Sequence, residues 1–409
     1  MNRNFKAILN AEYGGIHATY WMFYGVSNSF ASAYLLYEGY SNSEIGFILA
    51  VANVLAVFLQ PYLADFADRS KKISLIGVSQ LTVVFLICLE GCLFIAKGKS
   101  IVLWLSFVLI MAWSTALHPL LNSLSFKLEE TDVHINYGAC RSGGSLAYAV
   151  LCAFLGRLVE DRGAWILPIS GEIVLGLMII ILILNKMSYG KALLKKSVIN
   201  SDMEKNDQET IRTVHEEITL TDFIKRNKLF VAMNGAIVCV YFSNSILNSF
   251  MLQVVNNVGG SSEDMGRVFS VMAFLEIPAL FFFDKIKEKV SCRNILKIAA
   301  VSFTIKIGLI YVANSMTLIY VAHFFQTFSF GLFIPAIVVF TDEVMRKGED
   351  VRGQSLYTIA TTTATIMASA FGGVLLDTCG AKIMLLVSTI ITGLGALGVV
   401  MLIDRIKSN

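Results

Sequence analysis

The stretch ISLIGVSQLTVVFLICLEGCLFIA, residues 73–96, contains only one charged side chain, Glu90. An α-helix rises about 1.5 Å per residue, so a block of roughly 20 apolar residues crosses the ~30 Å hydrocarbon core of a bilayer. Blocks of similar length and composition recur along the whole chain. The pattern therefore predicts an all-α membrane protein that crosses the bilayer many times.

The composition excludes several classes of protein. Only 15% of the 409 residues are charged and 56% are hydrophobic, whereas a soluble domain carries about 25% charged residues. Soluble enzymes, disordered chains and disulfide-rich secreted modules do not fit these values. Outer-membrane barrels do not fit either, because their strands alternate in segments of roughly 10 residues. The net charge of +3 gives no reason to expect a nucleic-acid partner.

Twelve apolar blocks predict twelve transmembrane helices arranged as two six-helix bundles. Between the sixth and seventh blocks, charged residues concentrate in a segment without a long apolar face, which we interpret as a solvated linker. The predicted domains are an N-terminal bundle at 1–185, a cytoplasmic charged linker at 186–228 and a C-terminal bundle at 229–409. The blocks are approximately 16–37, 45–64, 73–96, 101–124, 138–159, 165–184, 229–255, 268–283, 295–312, 318–340, 356–376 and 383–403.

The distribution of basic residues predicts the orientation of the chain. With both termini placed in the cytoplasm, 25 of the 33 Lys and Arg residues fall on the cytoplasmic side and six fall on the opposite side. This asymmetry is typical of inner-membrane proteins. No cleavable signal sequence precedes the first block, so we expect that block to remain as a helix. We therefore predict a multi-pass protein of the plasma (inner) membrane with both ends inside.

Polar side chains inside the apolar blocks are candidates for function, because a charge at a helix centre costs about 2.5–3.5 kcal/mol on insertion scales. They usually border a wet pathway lined by protein. Structural alternatives are an ion pair for Glu276, snorkelling of Arg141 to the membrane surface and a packed core histidine at His323. The charged residues are Glu90, Arg141, Glu172, Glu276 and Lys306, and the other polar ones are Asn122, Asn244, Asn248, His323 and Gln326.

Glu276 and Lys306 form the most informative pair among these residues. An unpaired charge in a medium of low dielectric constant tends to neutralise, whereas paired charges persist. Protonation of Glu276 would break such a pair and change which packing of the bundle is favoured. The hypothesis is a proton-coupled switch.

Motifs of enzymes are missing from the sequence. His215-Glu216-Glu217 begins like a zinc HExxH motif, but position 219 is Thr. Neither a GxxxxGK[ST] phosphate loop nor a GxSxG nucleophile elbow occurs. We therefore expect a protein that is not an enzyme and that uses no metal or other cofactor.

Two charged loops resemble a motif of the major facilitator superfamily. The stretch ADFADRSKK, residues 64–72, is similar to the G-x-L-x-D-[RK]-x-G-[RK]-[RK] loop of that superfamily, although its glycines are replaced. A weaker copy, EKVSCR, occupies residues 288–293. The resemblance implies a cytoplasmic gate held by charge pairs and helix-end dipoles. Its residues would be Asp68, Arg69, Glu288 and Lys289.

The stretch YGACRSGGSLAY, residues 137–148, resembles the start of the fifth span in lactose-permease-like sugar:proton symporters. The resemblance implies that Arg141 binds sugar hydroxyls and that the ring of Tyr148 stacks on the sugar. A planar guanidinium and an aromatic face suit a pyranose, which is polar at its rim and apolar on its faces.

The same resemblance places further residues in the binding site and also shows departures from the family pattern. Glu276 matches a binding carboxylate, Lys306 matches a basic position, and HFFQTFSF, residues 323–330, covers the histidine-to-glutamate stretch of span ten. Asn122 stands where a carboxylate is usual. At three further sets of positions the usual charged residues are replaced: Gln326 and Ser329 on span ten, Phe242 and Ser245 on span seven, and the lysine-free stretch 362–366 on span eleven.

These observations predict a secondary transporter that moves a small polar solute by rocking two bundles about a midplane site. Proton symport of a saccharide is the favoured function. The alternatives are transport of a nucleoside or other uncharged metabolite, efflux of amphipathic compounds, a non-transporting membrane sensor and a membrane-embedded enzyme. We expect a monomer in the lipid bilayer. The predicted substrate-binding residues are Asn122, Arg141, Tyr148, Glu276, His323 and Gln326, with Glu276 and Lys306 coupling protons.

Overall fold

A computed structural model of the chain describes residues 3–70, 73–200, 220–346 and 349–407. All regular secondary structure within these ranges is helical. Three features of the sequence lie outside the described residues. They are the central part of the predicted linker at 201–219, the His215-Glu216-Glu217 triplet within it, and the Lys71-Lys72 pair of the first charged loop.

The helices follow the apolar blocks in order, and we number them α1 to α12. α1 and α10 are interrupted by short π-helical or 3-10 turns, and α11 and α12 form one continuous helix with a break. The bounds are α1 Arg3–Tyr24, Gly25–Ser29 and Ala31–Tyr37; α2 Asn42–Arg69; α3 Leu75–Ile95; α4 Ile101–Glu129; α5 Tyr137–Arg162; α6 Ile166–Asn200; α7 Lys228–Asn256; α8 Ser262–Lys287; α9 Cys292–Val312; α10 Met316–His323, Phe324–Gln326, Thr327–Gly331 and Leu332–Val344; α11 and α12 Asp350–Ile403.

Ten of these helices are long and apolar enough to cross a membrane by length and composition, and the last of the ten is Val351–Ile403. Such a helix would be about 80 Å long if straight, more than twice the thickness of a bilayer core. It breaks at Gly380, where φ is 80° and ψ is 170°, so it supplies two spans. The interrupted α1 supplies the remaining one. The predicted all-α membrane protein with twelve spans is therefore confirmed within the described ranges.

The segment predicted as linker is partly helical. α6 continues past the membrane block to Asn200, and a short helix, Leu220–Arg226, precedes α7. This short helix buries Phe223. Its last residue, Arg226, donates to the buried carboxylate of Glu349 at 3.0 Å. The end of the linker is thus fixed to the start of α11.

Serine side chains define several helix starts. Ser74 accepts from the backbone N–H of Gly77 at 3.2 Å, and Ser100 accepts from that of Leu103 at 3.2 Å. These are N-caps, which satisfy backbone donors that the first turn leaves free. They fix α3 and α4 at the edges of their apolar blocks and make the boundaries readable from the sequence.

Contacts divide the chain into two compact units. Unit 1 comprises Met1–Asn28, Leu55–Tyr148 and Leu167–His215. Unit 2 comprises Ser29–Val54, Ala149–Ile166 and Glu216–Asn409. Unit 2 thus contains all of the described second half together with the end of α1, the start of α2 and the end of α5. The predicted domain boundaries at 185 and 229 remain a prediction.

Unit 2 contains an extensive aromatic core. Phe303, Phe333 and Phe340 are fully buried in it, and the rings of Phe303 and Phe333 meet edge to face with centroids 5.8 Å apart. Large apolar side chains elsewhere on the same helices are exposed, for example Phe281 at 78%. Apolar side chains on both the inner and the outer faces are what a lipid-solvated bundle requires, because lipid replaces water around it.

Candidate functional site

A buried cation lies at the centre of the polar group in the second half. Lys306 on α9 has no exposed surface. Its Nζ donates to Oε1 of Gln326 at 2.7 Å and, more weakly, to Oδ1 of Asn244 at 3.5 Å. A charge so fully removed from water persists only where it is paired and hydrogen-bonded.

Gln326 connects Lys306 to Glu276. The Nε2 of Gln326 donates to Oε1 of Glu276 at 2.7 Å, while its Oε1 accepts from Lys306. The structure therefore brings the two predicted proton-coupling residues together through an amide. The amide orients its dipole so that each end faces the complementary charge. We refer to Lys306, Gln326 and Glu276 as the charge relay.

Local irregularity in α10 positions Gln326. The helix changes to a 3-10 turn at Phe324–Gln326 and to a π turn at Thr327–Gly331. Such turns often occur at functional sites. At Gly331, a Cβ atom would lie 2.8 Å from the Cβ of Ala279 and 3.6 Å from the Cα of Glu276. The glycine thus allows α10 to approach α8 closely at the relay.

His323 lies one turn before Gln326 and is fully buried. Its Nδ1 lies 2.7 Å from the backbone oxygen of Ile319 and so carries a proton to donate. Its Nε2 is buried and has no hydrogen-bond partner among the described residues. The Nε2 lone pair is therefore an acceptor that a ligand or water can use. Ser329 stands at the position where the sugar symporters that this chain resembles carry a glutamate. It is buried, and its hydroxyl donates to the backbone oxygen of Gln326 at 3.5 Å.

In the first half, Arg141 lies on the face of an indole ring. Its guanidinium carbon is 4.0 Å from the centroid of Trp21, and Nη1 donates to Oγ of Ser145 at 2.9 Å. At Gly144, a Cβ would lie 2.7 Å from Cδ1 of Trp21, so this glycine makes room for the ring. The cation–π contact holds Arg141 on α5 against α1.

Asn122 belongs to the same group of helices. Its Oδ1 accepts from the hydroxyl of Tyr137 at 3.3 Å, and its Nδ2 lies 3.4 Å from Nε2 of His118. Tyr148, predicted to stack on the solute, is half-buried on α5. The ring of Trp21 lies against Arg141, and the role of Tyr148 remains a prediction.

Sequence reasoning missed most of an aromatic cluster in unit 1. The rings of Tyr20 and His118 stack with centroids 5.1 Å apart, and His118 also meets Trp21 edge to face at 5.4 Å. Both ring nitrogens of His17 and the indole nitrogen of Trp21 are buried without a hydrogen-bond partner in the described ranges. Aromatic residues in an apolar block carry no distinct signal in a sequence, so only the convergence of α1, α4 and α5 reveals them. The cluster comprises Tyr13, His17, Tyr20, Trp21, Tyr24, His118 and Tyr137.

An open groove of about 710 Å³ runs along α1 and α5 of unit 1. Small side chains line much of it, including Ala11, Gly14, Ala139 and Gly143. The groove borders the same two helices that carry Trp21 and Arg141. Among the described residues, no group of histidine, cysteine and acidic side chains could hold a metal ion.

The residues predicted to form the cytoplasmic gate lie at helix ends and are exposed. Arg69 pairs with Asp65, one turn earlier, at 2.6 Å, whereas Asp68 lies exposed beside it. Glu288 and Lys289 are exposed just after α8. Their role in a gate remains a prediction.

Solved structures of membrane transporters share the fold of this chain. The nucleoside transporter NupG aligns with a TM-score of 0.73 and 12% identity, over 98% of this chain and 100% of NupG. The POT family transporter PepTSo aligns with a TM-score of 0.69 and 10% identity, over 99% of this chain and 98% of that protein. At this level of identity, the likenesses show the fold.

The family is shown by a match along the sequence. The model of the MFS_1 like family matches residues 13–387, and the chain belongs to this family. A curated relative, the uncharacterized transporter YwbF of Bacillus subtilis (strain 168), is 21% identical over 330 residues, covering 80% of this chain and 76% of YwbF.

Proposed function

We propose that the protein is a secondary active transporter that carries a small polar solute, a saccharide, in symport with protons by alternating access. The charge relay carries the proposal. Lys306 is fully buried, and the amide of Gln326 joins it to the carboxylate of Glu276 by two hydrogen bonds of 2.7 Å. A proton bound by Glu276 would cancel the negative charge at the far end of the relay. The packing of α8, α9 and α10 would then have to accommodate an uncompensated cation.

The group around Arg141 supports a saccharide as the solute. The guanidinium of Arg141 lies over the ring of Trp21, and the amide of Asn122 lies on a neighbouring helix of the same unit. Sugars present hydroxyls at the rim and C–H bonds on the faces, which donors and aromatic rings recognise respectively. We propose that the solute-binding residues are Asn122, Arg141, Tyr148, Glu276, His323 and Gln326.

A nucleoside is the second candidate solute, favoured by the aromatic cluster. Stacked rings such as Tyr20 and His118 form flat surfaces that suit a planar base. The unpartnered nitrogens of His17 and Trp21 could bond the edge of the base. NupG, which shares the fold, is a nucleoside transporter.

We further propose that the protein works as a monomer in the plasma membrane with both termini in the cytoplasm. One chain contains both polar groups. The excess of basic residues in the loops on the side of the termini supports this orientation.

Purified protein in liposomes tests the function directly. An inward proton gradient is imposed, and uptake of labelled saccharides and nucleosides is measured with and without an uncoupler. Accumulation of a saccharide that collapses with the gradient supports symport. Accumulation of nucleosides but not of saccharides would identify a nucleoside as the solute and refute the saccharide. Uptake that does not depend on the gradient would refute proton coupling.

The variant Glu276→Gln isolates the relay. We expect it to abolish accumulation driven by the gradient while keeping exchange of solute across the membrane. Asp284→Asn is the control, because Asp284 is an exposed carboxylate at the end of the same helix, α8, where it pairs with Lys287 at 2.8 Å. Equal loss in both variants would contradict a specific role of Glu276.

A further inference from the structure

The start of α2 is held by a carboxylate from the end of α11. One oxygen of Asp377 accepts from the backbone N–H of Asn42 at 3.2 Å and from its side-chain amide at 2.8 Å. The other oxygen accepts from the backbone N–H of Ser43 at 2.7 Å. The amide oxygen of Asn42 in turn accepts from Gln253 of α7 at 2.9 Å. An anion here satisfies free helix donors and faces the positive end of the helix dipole.

A second carboxylate does the same for the start of α8. Glu160, at the end of α5, accepts from the backbone N–H of Ser262 at 3.0 Å. In both places a helix of one half of the sequence receives its cap from the other half. All of these contacts lie within unit 2.

The two contacts are related by an internal repeat of the sequence. The helix starts read SNSEIG at 41–46 and SSEDMG at 261–266. The segments that cap them read SAFGGVLLD at 369–377 and CAFLGRLVE at 152–160. Asp377 and Glu160 end the second pair at equivalent positions. The two contacts are therefore the same device built twice, as expected for a fold made of structural repeats.

Glycines bring the helices together beneath each carboxylate. A Cβ on Gly46 would overlap the backbone oxygen of Ser369, and one on Gly266 would overlap that of Cys152. A Cβ on Gly156 would lie 2.7 Å from the backbone oxygen of Ser262. Backbones in such close contact form a tight crossing between small residues. Each crossing therefore combines close backbone packing at the glycines with a carboxylate that caps the neighbouring helix start.

We propose that Asp377 and Glu160 are paired latches that hold the two halves of the chain together at this end of the molecule. The proposal rests on the alternating access argued above, in which this end must open and close. The capping hydrogen bonds exist only while the helices cross. When the halves separate, both carboxylates lose their backbone donors, and the starts of α2 and α8 lose their anions. The latches thus favour the closed arrangement by charge, in addition to packing.

Distance measurement by double electron–electron resonance tests the latches. Spin labels are placed at Tyr37, after which α1 ends, and at Lys382, after the break at Gly380, in a background without native cysteines. Both positions are exposed. In the double variant Asp377→Asn with Glu160→Gln, we expect the ratio of long to short distances to rise about 3- to 30-fold, from the worth of two anions at helix starts.

Glu44→Gln is the matched control. Glu44 accepts from the backbone N–H of Ser41 at 2.7 Å and so caps its own helix. We expect this variant to keep the distances of the wild type. Unchanged distances in the double variant, or an equal shift in the control, would overturn the proposal.

One further variant separates the latch from a folding defect, and measurement without solute separates it from the proposed function. Asp377→Glu keeps the carboxylate and should retain most of the closed population, whereas a mere packing defect would be worsened by the longer side chain. The distances are measured without solute. If no solute is taken up in the liposome assay, the proposed transport function is contradicted. The latch proposal is tested separately, by the distances between the spin labels.

Discussion

Replacing Gln326 by leucine should destabilise the second half strongly. Leucine keeps much of the volume of glutamine but can neither accept from Lys306 nor donate to Glu276. The two hydrogen bonds removed are each 2.7 Å long and each involves a charged group. Hydrogen bonds to charged groups are worth about 1.5–3 kcal/mol each, so the loss should amount to about 3–6 kcal/mol of unfolding free energy.

This range agrees with what is known for buried charges. Removing one partner of a buried ionic pair typically costs about 3–5 kcal/mol, because it leaves a charge without compensation. Lys306 has no exposed surface, and its contact with Asn244 at 3.5 Å is too long to replace the lost bond. Direct approach of Lys306 to Glu276 would recover part of the loss, which favours the lower end of the range.

Denaturant unfolding in mixed detergent micelles, followed by tryptophan fluorescence, measures the effect. Gln354→Leu is the control, because Gln354 is a half-buried glutamine whose amide donates to an uncharged group, the backbone oxygen of Val338, at 2.9 Å. We expect the control to lose less than about 1 kcal/mol. A loss at Gln326 that is no larger than in the control would refute the account of the relay.

Three further predictions concern other parts of the molecule. Gly46→Val should force α2 away from α11 and raise the fraction of long distances between the two spin labels; an unchanged distribution would contradict the tight crossing. Arg141→Lys should weaken binding of the transported solute about 3- to 10-fold, since an ammonium lacks the planar stack on Trp21, and unaltered affinity in a titration would exclude Arg141 from the site. Just after α4, the hydrogen bond from Lys127 holds the pKa of Glu130 below its ordinary value of 4.5. This carboxylate therefore stabilises the fold above about pH 4.5 and loses that effect as the pH falls further. In Glu130→Gln, the unfolding midpoint should therefore depend less on pH in the acid range. The same pH dependence in the wild type and the variant would contradict the contact.

The fold was predictable because the bilayer imposes a simple rule on the chain. Every span needs roughly 20 apolar residues, and the apolar blocks mark them without any knowledge of tertiary structure. The extension of α6 to Asn200 was not predictable by this rule, since beyond the membrane a helix needs no hydrophobic block. The break at Gly380 was visible only as a gap between two blocks.

The candidate site was predictable where charge was out of place. Glu276 and Lys306 stand out in an apolar block, and the structure joins them. The bridging role of Gln326 was not visible, because which amide lies between two charges depends on the turns within α10. Trp21 was missed for a different reason: its partner Arg141 lies 120 positions away, and an aromatic ring in a span is usually part of the core.

The single-residue reversal at Gly380 has a mechanical consequence. A positive φ of 80° lets the chain turn back within one residue, where most side chains would be strained. No loop of several residues separates α11 from α12, so a tilt of α11 also moves the start of α12. Asp377 lies only three positions before Gly380. Loss of its hydrogen bonds to α2 would therefore move two spans together rather than one.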